Sequence, residues 1–68
     1  MKTSTLYKRV VLLRKDLEEN GYILHGIGKH PLKRSYYYYH IRNNNEIVIN
    51  LDCEKNELIV HKNQKRII

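Results

Sequence analysis

The chain has no tryptophan, phenylalanine or alanine, and only one cysteine, one proline and one methionine. A single thiol, Cys53, excludes an internal disulfide framework and suits a reducing compartment. Tyr is the only member of the Phe, Trp and Tyr set, with six residues, so it must supply large rings wherever packing needs them. Acidic residues are scarce, 7 against 13 Lys plus Arg, and the resulting net charge of +6 favours polyanionic partners such as RNA or DNA. The same charge also serves solubility. No apolar run approaches the roughly 20 residues that span a membrane, and the N-terminus lacks the apolar segment and small-residue cleavage site of a secretory signal. A cytoplasmic location without membrane association is expected. The four histidines and the cysteine show no H-x₃-H or C-x₂-C spacing, so neither a metal nor another cofactor is expected.

With 68 residues, the chain reads as a single domain over residues 1–68, with a thin core of one helix layer on one sheet. Leu6, Val10, Leu13 and Leu17 recur at i, i+4, i+7 and i+11, with Tyr7 and Val11 widening the stripe. This predicts an amphipathic helix from Ser4 to Glu19, capped by Thr3, Ser4 or Thr5 and stopped by Asn20-Gly21. Lys8 and Arg9 near its start and Asp16, Glu18 and Glu19 near its end oppose the helix dipole.

Gly26, Gly28 and Pro31 predict a loop from Tyr22 to Ser35, with a short extended piece at Tyr22 to Leu24. Tyr36 to Arg42, Glu46 to Asp52 and Glu57 to Lys62 are rich in Tyr, Ile and Val and read as strands of an antiparallel meander. The expected fold class is α+β, one N-terminal helix on a three- to four-stranded sheet. Alternation places Tyr37, Tyr39 and Ile41 with Ile47, Ile49 and Leu51 against the helix, and Tyr36, Tyr38, His40 and Arg42 outside. In the last strand Leu58, Ile59 and Val60 make both faces apolar.

Candidate chemistry gathers between Gly26 and Arg42. Lys29, Lys33, Arg34 and Arg42 supply fixed positive charge for phosphate, Tyr36 and Tyr38 supply rings on which bases can stack, and His30 and His40 can exchange protons near neutrality. An ordinary solvated loop of a basic protein has the same composition, and both readings stand at this point.

Read in order, the helix ending Asp16-Leu17-Glu18-Glu19-Asn20, the segment Gly26-Ile27-Gly28-Lys29-His30-Pro31-Leu32-Lys33, the tyrosine strand ending His40-Ile41 and Glu46-Ile47-Val48-Ile49-Asn50-Leu51-Asp52 resemble the RelE/ParE superfamily of toxin-antitoxin toxins. The likeness is to the YoeB and YafQ branches in particular, in a shortened form covering about Leu6 to Arg66. It implies helices packed on an antiparallel sheet and a metal-independent endoribonuclease that cleaves ribosome-bound messenger RNA. In that chemistry a base removes the ribose 2′-OH proton, the oxygen attacks the adjacent phosphate, and an acid protonates the leaving oxygen. The resemblance places His30 where YoeB-like toxins carry a loop glutamate, aligns Lys33 with their lysine, and sets His40 where the YafQ branch has a histidine. Glu46 stands where an arginine is usual. The implied partners are RNA and a cognate antitoxin, and an uncovered sheet edge or apolar face would accept another protein or a second copy of the chain.

Two other readings stay open. One is a non-catalytic basic module, of mobile-element or phage type, that binds nucleic acid or protein. The other is a HicA-like toxin, to which Asn20-Gly21-Tyr22 and Gly28-Lys29-His30 are similar, although too few residues follow Lys62 for the C-terminal helix of that family.

Overall fold

A computed structural model describes residues 2–68, with side chains from Thr5 onward. Helix α1 spans Lys2–Glu19 and is followed by strands β1 (Tyr22–His30), β2 (Lys33–His40), β3 (Glu46–Asp52), β4 (Glu57–Lys62) and β5 (Lys65–Arg66). They form one antiparallel sheet in the order β1-β2-β3-β4-β5. The α+β expectation is met, with five strands where three to four were expected.

The leucine and valine stripe packs as its spacing predicts. Val10 is buried, and Leu6, Leu13 and Leu17 pack against the same cluster as Ile47, Ile49, Leu51, Leu58 and Val60. Tyr7 and Val11 are 57% and 50% exposed, so the buried stripe is narrower than expected. The helix begins at Lys2, two residues before the expected start, so Thr5 lies inside it and is not its cap, while the side chains of Thr3 and Ser4 lie outside the described residues. At the other end the Asn20 amide donates to the Asp16 and Leu17 carbonyls, and Gly21 takes φ +90°, the left-handed value that only glycine adopts cheaply.

The predicted loop from Tyr22 to Ser35 is instead a hairpin. Gly26 and Gly28 do not break β1, because the Tyr37 ring lies against both and covers the bare backbone. Pro31-Leu32 forms a two-residue connection between the paired His30 and Lys33, where proline's fixed φ suits a turn. One bulge interrupts the ladder: Leu24 pairs with Tyr38 and Gly26 with Tyr37, leaving His25 as the extra residue.

The faces of β2 are the reverse of those predicted. Tyr36 and Tyr38 are 6% and 0% exposed beneath the helix, whereas Tyr37 and Tyr39 are each 37% exposed on the far side. Loop parity explains the reversal. A three-residue turn at 43–45 would set odd-numbered residues opposite odd ones. In the structure His40 and Asn45 close a loop of residues 41–44, with Asn44 left-handed at φ 56°. Tyr36 therefore faces Ile49 and Tyr38 faces Ile47 across the strands. A shift of one residue moves every side chain of a strand to the other face. His40 ends up half-buried on the helix side, and Ile41 lies in the loop with 60% exposure.

After β4 the chain turns through Asn63 (φ 51°) and Gln64 (φ 70°), the doubly left-handed geometry of a type I′ hairpin, into the short β5. No described helix is long and apolar enough to cross a membrane.

Candidate nucleic-acid interface

The tip of the β1–β2 hairpin gathers the densest positive charge of the predicted set. Lys29 pairs with Arg34 and His30 with Lys33 across the two strands. The Arg34 guanidinium curls back, Nη1 donating to the carbonyls of His30 at 2.7 Å and Lys33 at 3.2 Å. The Leu32 amide donates to His30 Nδ1 at 3.3 Å, which directs that ring's proton to Nε2. Lys29, His30, Pro31 and Arg34 line a shallow depression of about 260 Å³.

The tip is anchored to the next turn. Cys53 N donates to Leu32 O at 2.8 Å, and the Asp52 carboxylate, opposite Lys33, caps that turn by accepting the Glu54 and Lys55 amides. The Lys55 amide bond chiefly holds the Asp52 carboxyl below its usual range; burial opposes it, and the Glu54 amide and the charges of Lys33 and Lys55 add to the lowering. Ser35 Oγ donates to Asn50 Oδ1 at 2.8 Å, and this pair floors a groove of about 200 Å³ running from Lys33 and Arg34 toward Ile59.

His40 and Arg42 lie at the opposite end of β2. The seven residue steps from Lys33 to His40 correspond to about 23 Å of extended chain, so His30 and His40 cannot act on one phosphate as a base and acid pair. His40 also has structural work at both ring nitrogens. Its Nε2 lies 3.1 Å from Asn20 O, its Nδ1 accepts the Arg42 amide at 3.2 Å, and its ring meets Tyr22 edge-on at 5.0 Å. These contacts close the helix-to-strand turn. Glu19, Asn20, Gly21, His40, Ile41 and Arg42 border a groove of about 550 Å³ there.

Tyr36 and Tyr38, expected on the outer face as stacking rings, are core residues, and their rings are not available to bases. Their polar contact is internal. Arg14 Nε donates to Tyr38 Oη at 2.8 Å while its guanidinium carbon sits 4.5 Å from the centre of the Tyr36 ring, and Tyr38 Oη donates to Glu18 Oε2 at 3.1 Å. Burial pushes the Tyr38 phenol above its ordinary range, opposed by the Arg14 hydrogen bond and reinforced by that to Glu18. The Tyr38 hydrogen bond in turn raises the already high Arg14 pKa.

Sequence reasoning missed Arg14 and His25. Arg14 stands one helical turn after Val10, beside the apolar stripe, and that position was the available signal. His25 precedes a glycine in an otherwise extended pattern, which marks a bulge. The bulge brings its ring 5.9 Å from Tyr39 and 6.3 Å from Tyr37, and His25, Tyr39 and Glu46 line a groove of about 300 Å³. Among the described residues, no group of three or more His, Cys, Asp or Glu side chains is placed to hold a metal ion. Comparison with protein-family models, with curated proteins and with solved structures gives no match to this chain.

Proposed function

We propose that this chain is a small RNA-binding protein of the RelE/YoeB toxin type that grips a phosphate backbone at the tip of the β1–β2 hairpin. The observation that carries the reading is the meeting of Lys29, His30, Lys33 and Arg34 in two adjacent cross-strand pairs, on a chain of net charge +6. Phosphate contact asks only for charge and reach, which two lysines and an arginine on a turn provide. With Tyr36 and Tyr38 in the core, base stacking at this site is lost and binding tolerates many sequences. The geometry favours binding over cleavage. If the toxin-type cleavage is present, His30 is its proton-transfer group, Lys33 and Arg34 stabilise the charge on phosphorus, and His40 supports the fold. A small acidic antitoxin is the protein partner this reading implies.

Fluorescence anisotropy with labelled single-stranded RNA tests the binding reading. Three phosphate contacts give a log–log salt slope of about −2, and replacing Lys29, Lys33 and Arg34 together by Ala flattens it. An intact chain that binds no RNA at low salt, or a triple variant that binds as well as its parent, overturns it. Cleavage of ribosome-bound messenger RNA, assayed separately, is expected to be lost in His30→Ala.

A further inference from the structure

The sheet face turned away from α1 is not composed like a solvated face. Ile23, Tyr37 and Tyr39 are 47%, 37% and 37% exposed on it, and Val48 and Ile59 are half-buried there. Its charge is not that of a nucleic-acid platform. By the strand register, Lys33 and Arg66 share this face with Glu46, Asp52 and Glu57, so carboxylates outnumber fixed cations.

The charges are also sorted in space. At one end of the sheet, His30 and Lys33 lie on β1 and β2, while Asp52 and Glu57 lie on β3 and β4. Further along, Gly28 and Ser35 are followed across the sheet by Asn50 and Ile59, and Gly26 and Tyr37 by Val48 and His61.

We propose that this face is covered by a second copy of the same chain, the two sheets stacking about a two-fold axis that runs between β2 and β3, parallel to the strands. That operation keeps like ends together and lays β2 over β3, and β1 over β4, of the other copy. The basic corner at His30 and Lys33 then meets the acidic corner at Asp52 and Glu57 in both copies at once, as a self-complementary interface requires. Tyr37 lies over Val48, Ser35 faces Asn50, and Gly28 leaves room for the Ile59 side chain. The twist of each sheet rotates the strands by about 30° without separating the opposed corners. Lys29 and Arg34 project from the other face of the hairpin and stay open to phosphate in the dimer, whereas His30 and Lys33 serve both contacts, so RNA and the second copy compete for those two residues.

Four strand spacings make the face about 20 Å across, and roughly 1,000 Å² buried in total is at the low end of specific interfaces. A micromolar dimer is therefore expected.

Sedimentation equilibrium of the full chain over micromolar to millimolar concentrations tests this. A monomer–dimer equilibrium is expected, with Val48→Lys raising the dissociation constant by about tenfold or more, because a charge then sits in the desolvated centre. Glu57→Lys is expected to weaken the dimer, whereas Leu12→Lys, on the exposed side of α1, leaves it unchanged. Circular dichroism checks that each variant is folded, and Tyr37→Glu replaces Val48→Lys if the latter is not. A chain monomeric throughout overturns the proposal, as does a dimer that withstands Val48→Lys and Tyr37→Glu and so uses another surface. If the parent is monomeric and Val48→Lys abolishes RNA binding, the face is an RNA platform and the dimer is rejected.

Discussion

At the residue scale the helix is fastened to the sheet through Tyr38. Its ring is fully buried, its hydroxyl accepts from Arg14 and donates to Glu18, and so one residue joins two positions of α1 to the centre of β2. Tyr38→Phe keeps the ring and removes the bridge, and is expected to cost about 1 kcal/mol, or roughly 4–8 °C in Tm for a chain of this size. Thermal unfolding monitored by circular dichroism checks it. The same hydroxyl sets a pH dependence. Because folding raises its pKa above 10, its contribution is fully present below pH 10 and is lost as pH rises through the folded value. Tyr38→Phe should therefore lose less stability than the parent between pH 9 and 11; equal losses would show that other groups govern alkaline unfolding. His40 is the second residue whose role lies in the fold. His40→Ala removes a ring that bonds Asn20 and Arg42 and packs on Gly21, with an expected cost of about 1–2 kcal/mol in urea unfolding. RNA affinity should be unchanged in conditions where the variant is folded; a specific loss of affinity would return His40 to the binding site.

At the element scale the turns decide more than the strands. Gln64 is held at φ 70° in the β4–β5 turn, where a side chain is strained and Asn-Gly is the favoured pair. Gln64→Gly is expected to stabilise the hairpin by about 0.5 kcal/mol, the relief of strain being partly offset by glycine's greater freedom when unfolded. A small rise in urea midpoint at constant m-value would confirm this, and a fall would show that the Gln64 side chain contributes something the turn needs. Turns also explain which parts of the fold were legible in the sequence. The helix stripe from Leu6 to Leu17, the strands around Ile47–Leu51 and Leu58–Val60, and the stop at Asn20-Gly21 are local patterns and could be read directly. The face of β2 could not, because four adjacent tyrosines carry no alternation of their own. Only the parity of the 41–44 loop assigns them, and the run Asn43-Asn44-Asn45 resembles a three-residue turn. Strand β1 was hidden for a related reason. Gly26 and Gly28 look like breakers until Tyr37, eleven residues beyond Gly26, supplies the ring that covers them. The candidate site was legible as a set of residue types. Its division was not, because placing His30 and His40 at opposite ends of β2 depends on that unread hairpin.

At the scale of the whole molecule the excess of positive charge acts in two opposite directions. The molecule extends 37 by 20 by 20 Å, and at 0.01 M ionic strength the screening length is about 30 Å, so most of the 13 cationic side chains repel one another through the fold. At 1 M that length is about 3 Å, and only neighbouring charges still interact. Added sodium chloride should therefore raise Tm by relieving self-repulsion in the folded state, while each phosphate contact at the hairpin tip weakens as counterions compete for RNA. The expected outcome is an unfolding temperature that climbs by several degrees from 0.01 to 0.5 M salt, over the same range in which RNA affinity falls by roughly 10³-fold for three contacts. Replacing Lys29, Lys33 and Arg34 by Ala should reduce both responses, since the same cluster supplies the repulsion and the grip. A triple variant that binds RNA weakly yet keeps the parent's full salt-induced rise in Tm would place the destabilising charge elsewhere, on α1 or at the β5 edge. The hairpin tip would then remain a binding site whose charges cost the fold nothing.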